Sequence, residues 1–222
     1  MVEEKKYEVV SMGMNCLPRH ILTFGGIKNR KAEGELTCPF DLCVHTLKTI
    51  VTALENDFAD YYDDIFFKPY KRCFLDFRKK GYWEKPDGTI FVHERSCKTY
   101  DELVQKLKQR EKNLYSIINS ELPIIFVLFV RYPESRAYVN RLYDILDKKI
   151  AGRKKFVLTV LDFNGIDPHL DYNPNIRVLN LEEPVPDFGT NWSRKWFTKT
   201  LFGKYIHHLI CAYVQGVIDK EF

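Results

Sequence analysis

The chain has 222 residues, 45% of them apolar and 29% charged, and its 34 basic and 30 acidic side chains leave a net charge of +4. These are ordinary globular proportions, which exclude a disordered chain, and the length suits one domain with a full core. The charge is too small and too evenly scattered to mark a nucleic-acid binder, so no nucleic-acid partner is expected.

In chain order the first feature is YEVVSMGMNCLPRHIL, residues 7–22. Tyr7, Val9 and Val10 favour a strand, Gly13 allows a sharp turn, and Pro18 suits the first turn of a helix, where its missing N–H is no loss. Cys16 then falls at the helix N-terminus. Unpaired N–H groups and the positive end of the helix dipole favour a thiolate there, and Arg19 adds positive charge one turn on. A lowered thiol pKa and a nucleophilic role are therefore expected for Cys16. Asn15 beside it can offer its amide to an oxyanion or simply satisfy the turn.

Residues 25–37 are polar and glycine-containing and read as a loop, with the basic cluster Lys28–Arg30 in solvent. In the following CPFDLCVHTLKTIVTALENDF, Asp41 stands ahead of a run in which Leu47, Ile50, Val51 and Leu54 share one face. This predicts a helix over 46–57 with Asp41 as a candidate cap. Further on, CFLDF and TIFVHER flank Pro86-Asp87-Gly88 and predict a β-hairpin insertion over about 73–95, with Phe91 and His93 on one strand face. Thr99, with Glu102 three residues later, makes a capping box at the head of a long helix that carries Arg110.

The second half changes character. IIFVLFV (124–130) and KFVLTVLDF (155–163) are continuous apolar runs separated by the helical pattern ESRAYVNRLYDILDKK, the mark of a βαβ unit in a parallel sheet buried on both faces. IRVLNLE (176–182) adds a strand, and an apolar helix within 192–218 packs on the sheet. The expected fold is a single three-layer α/β domain over 1–222, with a largely parallel sheet built from 7–12, 124–130, 155–162 and 176–181 and the hairpin as an insertion. Arg131, at the C-terminal end of a central strand, lies where open α/β sheets bind ligands.

The longest apolar run, Leu122 to Val130, is about half of what a membrane span requires, and no apolar segment precedes the first strand. A cytoplasmic protein is expected, with its six cysteines, at 16, 38, 43, 73, 97 and 211, reduced. Cys38 and Cys43 lack a second paired ligand set, and the adjacent His207 and His208 diverge by about 100° on a helix, so neither a metal site nor a cofactor is expected. The histidines at 20, 45 and 169 read as structural, His20 being the reserve partner for Cys16 one turn before it.

Five motifs follow one another in order: SMGMNC at 11–16, CPFD at 38–41, FVHE at 91–94, KQREKNLY at 108–115 and FVLFVR at 126–131. On these the chain, over residues 7–131, resembles a bacterial family of unknown function described as papain-like cysteine peptidases. The resemblance implies a thiol hydrolase with Cys16 as nucleophile, His93 as its base and Asp41 orienting the imidazole, acting on a peptide or acyl substrate. A parallel sheet that opens on the nucleophile strand is also similar to SGNH-type esterases and acyltransferases. The competing reading is a non-catalytic α/β module that holds an anionic or glycan ligand through Arg131, Arg110 and the hairpin aromatics. Substrate and oligomeric state stay open.

Overall fold

Strands that are apolar on both faces can be satisfied only between two layers, and the chain solves this with a parallel sheet. The structure, a computed structural model, describes residues 5–13, 15–68, 81–94, 96–130, 137–163, 172–181 and 200–222. Its elements are β1 (Glu8–Gly13), α1 (Leu17–Phe24), a 3-10 turn (Lys31–Glu33), α2 (Leu47–Glu55), β2 (Phe66–Lys68), β3 (Tyr82–Glu84), β4 (Ile90–Phe91), α3 (Tyr100–Asn119), β5 (Ile124–Val130), α4 (Ala137–Ile150), β6 (Phe156–Asp162), β7 (Ile176–Asn180) and α5 (Leu201–Glu221). The main sheet has the order β1-β5-β6-β7 with every pair parallel, and β2-β3-β4 form a small antiparallel sheet.

Alternation along each strand divides the core into two. Val10 and Met12 of β1, Phe126 and Leu128 of β5, and Leu158 and Val160 of β6 pack with α2, α3 and α4 on one face. Val9, Ile125, Val127, Val157 and Leu161 meet α1 and α5 on the other. All seven residues of β5 are buried, as a central strand requires. The three-layer α/β architecture is the expected one. Among the described residues no helix is long and apolar enough to cross a membrane.

Three local expectations change. The turn at 86–88 joins β4 to β3, Tyr82–Glu84, while CFLDF lies outside the described residues. β4 ends at Phe91, where the Glu94 N–H returns to the Phe91 carbonyl, so His93 sits in an exposed turn while Phe91 is buried. Helix α2 begins at Leu47, and Thr46 is its cap, accepting from the Thr49 N–H. Reciprocal backbone bonds between Val44 and Ile90 hold residue 44 extended, so the helix cannot reach back to Asp41. Thr99 caps α3 as expected, although the Glu102 carboxylate reaches the N–H of Lys98 and not that of Thr99.

His45 is a buried polar residue within an aromatic cluster. It contacts Phe40, Tyr61 and Phe91, and its Nε2 lies 2.7 Å from the Tyr61 hydroxyl. Burial pushes its pKa down to about 3, Asp87 opposing and Arg110 and Lys85 assisting. An imidazole held neutral in this way contributes stability that is complete above its ordinary pKa of 6.5 and is lost as the pH falls toward about 3. His45→Gln, which keeps a partner for Tyr61 and does not titrate, should flatten the pH dependence of urea-unfolding stability between pH 6 and 4 by up to about 1.4 kcal/mol per pH unit. Parallel curves for the two proteins would refute the assignment.

Candidate active site

The site starts where β1 stops. Gly13 has φ +155, and a Cβ there would stand 2.8 Å from Phe129 Cβ on β5, so only glycine lets the chain turn away this close to its neighbour. Cys16 occupies the cap position of α1 without spending its side chain on the cap. Asn15 does that work: its Oδ1 accepts from the Leu17 N–H at 2.9 Å. The turn-satisfying role therefore holds for the oxygen of Asn15, and its NH2 is the group that can still donate. Half-buried Cys16 is delivered to the carboxyl ends of the parallel strands.

His93 arrives from a separate part of the chain, on the turn after β4. That turn is anchored by its neighbour Glu94, whose buried carboxylate pairs with Arg110 and, at 2.5 Å, with Lys106. Burial alone would raise the Glu94 pKa, but Arg110 and Lys106 overcome it and hold the carboxyl below its usual value. Arg110 is thus a buried positioning residue, with Nη1 3.8 Å from Cys43 Sγ, and not a solvent-facing contact for a ligand. Its charge is spent on Glu94, which removes it from the anion-binding set. Arg131 lies outside the described residues.

Cys16 Sγ and a ring nitrogen from each of His20 and His93 all lie within 4.8 Å of one another. His20 comes from α1 itself, one turn after the cysteine, and its ring centroid is 6.2 Å from that of His93 with the planes at 60°. The structure therefore joins Cys16 to both the expected imidazole and the reserve one. The signal for His20 was its i,i+4 spacing from Cys16, which puts both on one helix face.

The thiol is not poised as expected. Burial raises the Cys16 pKa to about 11, and the opposing pull of its own backbone N–H is smaller. Arg19 adds nothing because it is buried and turned to other partners, the Leu36 carbonyl at 3.2 Å and Asp41 at 3.0 Å. Desolvation wins over the helix terminus.

Asp41 is also placed differently. Its side chain is fully buried; one oxygen accepts from the Ser11 hydroxyl and lies 3.9 Å from Lys28 Nζ, and the other accepts from Arg19 and, at 2.7 Å, from the Cys38 N–H. Both oxygens are committed to tying β1, α1 and the CPFD segment together. Asp41 is neither the cap of α2 nor a hydrogen-bond partner of either imidazole. Lys28, expected in solvent, is buried as well, and its ammonium serves the Val9 carbonyl and Glu35. Sequence reasoning missed this cluster because the contacts that close it, such as Ser11 with Asp41 and Lys28 with Val9, join residues as far as 30 positions apart.

No protein-family model, curated protein or solved structure matches the chain.

Two measurements check this description. Iodoacetamide labelling of Cys16, followed by mass spectrometry, should accelerate about tenfold per pH unit from about pH 8 to 10, since the thiolate fraction is still growing there; a plateau at neutral pH would mean a resting thiolate. Asp41→Asn should lower unfolding stability by about 3 kcal/mol, because it leaves Arg19 and Lys28 short of a buried countercharge. An unchanged urea midpoint would show that the cluster contributes no stability.

Proposed function

We propose that the protein is a cysteine-dependent hydrolase or acyltransferase that forms a thioester at Cys16 with a peptide, acyl or glycan-linked substrate. The observation that carries this reading is the convergence of Cys16 Sγ with the His20 and His93 ring nitrogens within 4.8 Å, at the carboxyl ends of a parallel sheet. The motifs at 11–16 and 91–94, on which the chain resembles a family described as papain-like cysteine peptidases, point to the same pair, Cys16 and His93.

The raised thiol pKa sets the order of events. At rest the sulfur carries its proton, so the imidazole of His93 removes it as the sulfur attacks the substrate carbonyl. The C–S bond forms and the carbonyl electrons move onto oxygen. The Cys16 N–H and the Asn15 NH2 are the donors we assign to that oxygen, because the Leu17 N–H is already taken and Pro18 has none. Collapse of the oxyanion expels the leaving group, which receives the proton from the imidazolium. Water or an acceptor then attacks the thioester and returns the thiol. His20, fixed on the same helix as the nucleophile, is the second base within reach. A reducing, cytoplasmic setting fits the five described cysteines, all free thiols.

Rapid mixing with p-nitrophenyl acetate tests the reading. A burst of one equivalent of p-nitrophenol is expected, with the acetyl group found on the Cys16 peptide; Cys16→Ala should abolish the burst, and His93→Ala should slow it by about 10²-fold or more. Acetylation spread evenly over the cysteines, with no turnover of ester, thioester or peptide probes, would overturn it.

A further inference from the structure

We infer that Cys16, His20 and His93 form a binding site for a divalent metal ion of the zinc type, and that a bound ion closes the thiol to acyl chemistry. The closure rests on the hydrolase reading above; the binding does not. One thiolate and two imidazoles are the donor set that borderline-soft ions prefer. Among the described residues this is the one such group of three. Bonds of about 2.0–2.3 Å in a tetrahedral centre place donor atoms roughly 3.3–3.7 Å apart, so atoms within 4.8 Å of one another need to close by at most about 1.5 Å.

The supporting elements allow that movement. Cys16 and His20 are spaced one turn apart by α1, while His93 rides on an exposed turn whose anchor, Glu94, is the next residue. The nearby cations do not oppose an incoming one, since Arg19 is compensated by Asp41 and Arg110 by Glu94. Three protein donors leave one position for water, the pattern of open rather than sealed zinc sites. On binding, the Cys16 S–H bond breaks, the sulfur pair forms the metal–sulfur bond and the proton leaves to buffer. Each imidazole contributes a ring-nitrogen lone pair, and nothing is oxidised or reduced. A sulfur whose pair is held by the metal cannot attack a carbonyl.

A second cysteine–histidine pair, Cys211 and His207 on α5, has Sγ and Nε2 3.7 Å apart and serves as an internal control; it supplies two donors from one helix. The full chain, reduced and metal-free, is titrated with Co²⁺ while the near-ultraviolet thiolate-to-metal band and the visible d–d bands are followed, and Zn²⁺ is then added as competitor. One equivalent is expected, with the charge-transfer band lost in Cys16→Ser, and with affinity down more than about 100-fold in His20→Ala, His20→Gln and His93→Ala but unchanged in His207→Ala. Thermal unfolding of each metal-free variant confirms that it is folded, and His20→Gln keeps the test decisive if His20→Ala is not. Equal Co²⁺ affinity in Cys16→Ser or in the folded His20 variant, or loss in His207→Ala, would overturn the site.

The acyl burst is then measured with saturating Zn²⁺ and again after chelation. Suppression and recovery are expected; an undiminished burst would overturn the closure. A protein that binds Co²⁺ as described but is never acylated when metal-free would lose the hydrolase reading and keep the metal site.

Discussion

The buried carboxylate of Asp41 is the constraint on which the arrangement of the site depends. It accepts from Ser11 on β1, Arg19 on α1 and the backbone of Cys38, and so joins three segments far apart in sequence. Burying one charge would be costly; here Arg19 and Lys28 face Asp41 and Glu35, and the cluster is compensated from within. Lys28 also serves the Val9 carbonyl on β1, the edge strand of the main sheet. An inward-pointing charge at an edge strand is one of the ways in which proteins discourage pairing with another chain.

A second buried ion pair does the corresponding work for His93. Glu94, Arg110 and Lys106 hold the turn after β4 against α3, and the Val44–Ile90 bridge ties β4 to the segment that begins with Asp41. The nucleophile and the imidazole are thus carried by separate anchors that meet through residues 38–44. The sulfur is set by a helix end that follows a glycine turn. The imidazole is set by an exposed turn anchored at the next residue, Glu94.

The electrostatics of Cys16 follow from the same packing. A helix N-terminus favours a thiolate by a modest local field, whereas loss of water penalises it over the whole surface of the ion, and the positive charge closest in sequence, Arg19, is spent on Asp41. A neutral thiol beside two imidazoles is a group whose proton must be removed by whatever uses the sulfur, whether an imidazole during acyl transfer or a metal ion on binding. The two uses compete for one lone pair.

Local pattern by itself determined the parallel sheet, the βαβ unit at 124–162, the capped helix at Thr99 and the strand–glycine–helix placement of Cys16, because period, length and capping chemistry are properties of neighbouring residues. Only the tertiary structure decided what the charged residues do. Asp41 read as a cap or as the group orienting His93, Lys28 as a solvated loop residue and Arg110 as a ligand contact, and each is a buried half of an ion pair whose partner lies elsewhere in the chain. His93 read as a strand residue because alternation cannot show where a strand ends; the Glu94 anchor ends it. The direction of the Cys16 pKa was hidden for the same reason. Burial is a sum over atoms from many segments, and no window of sequence contains them.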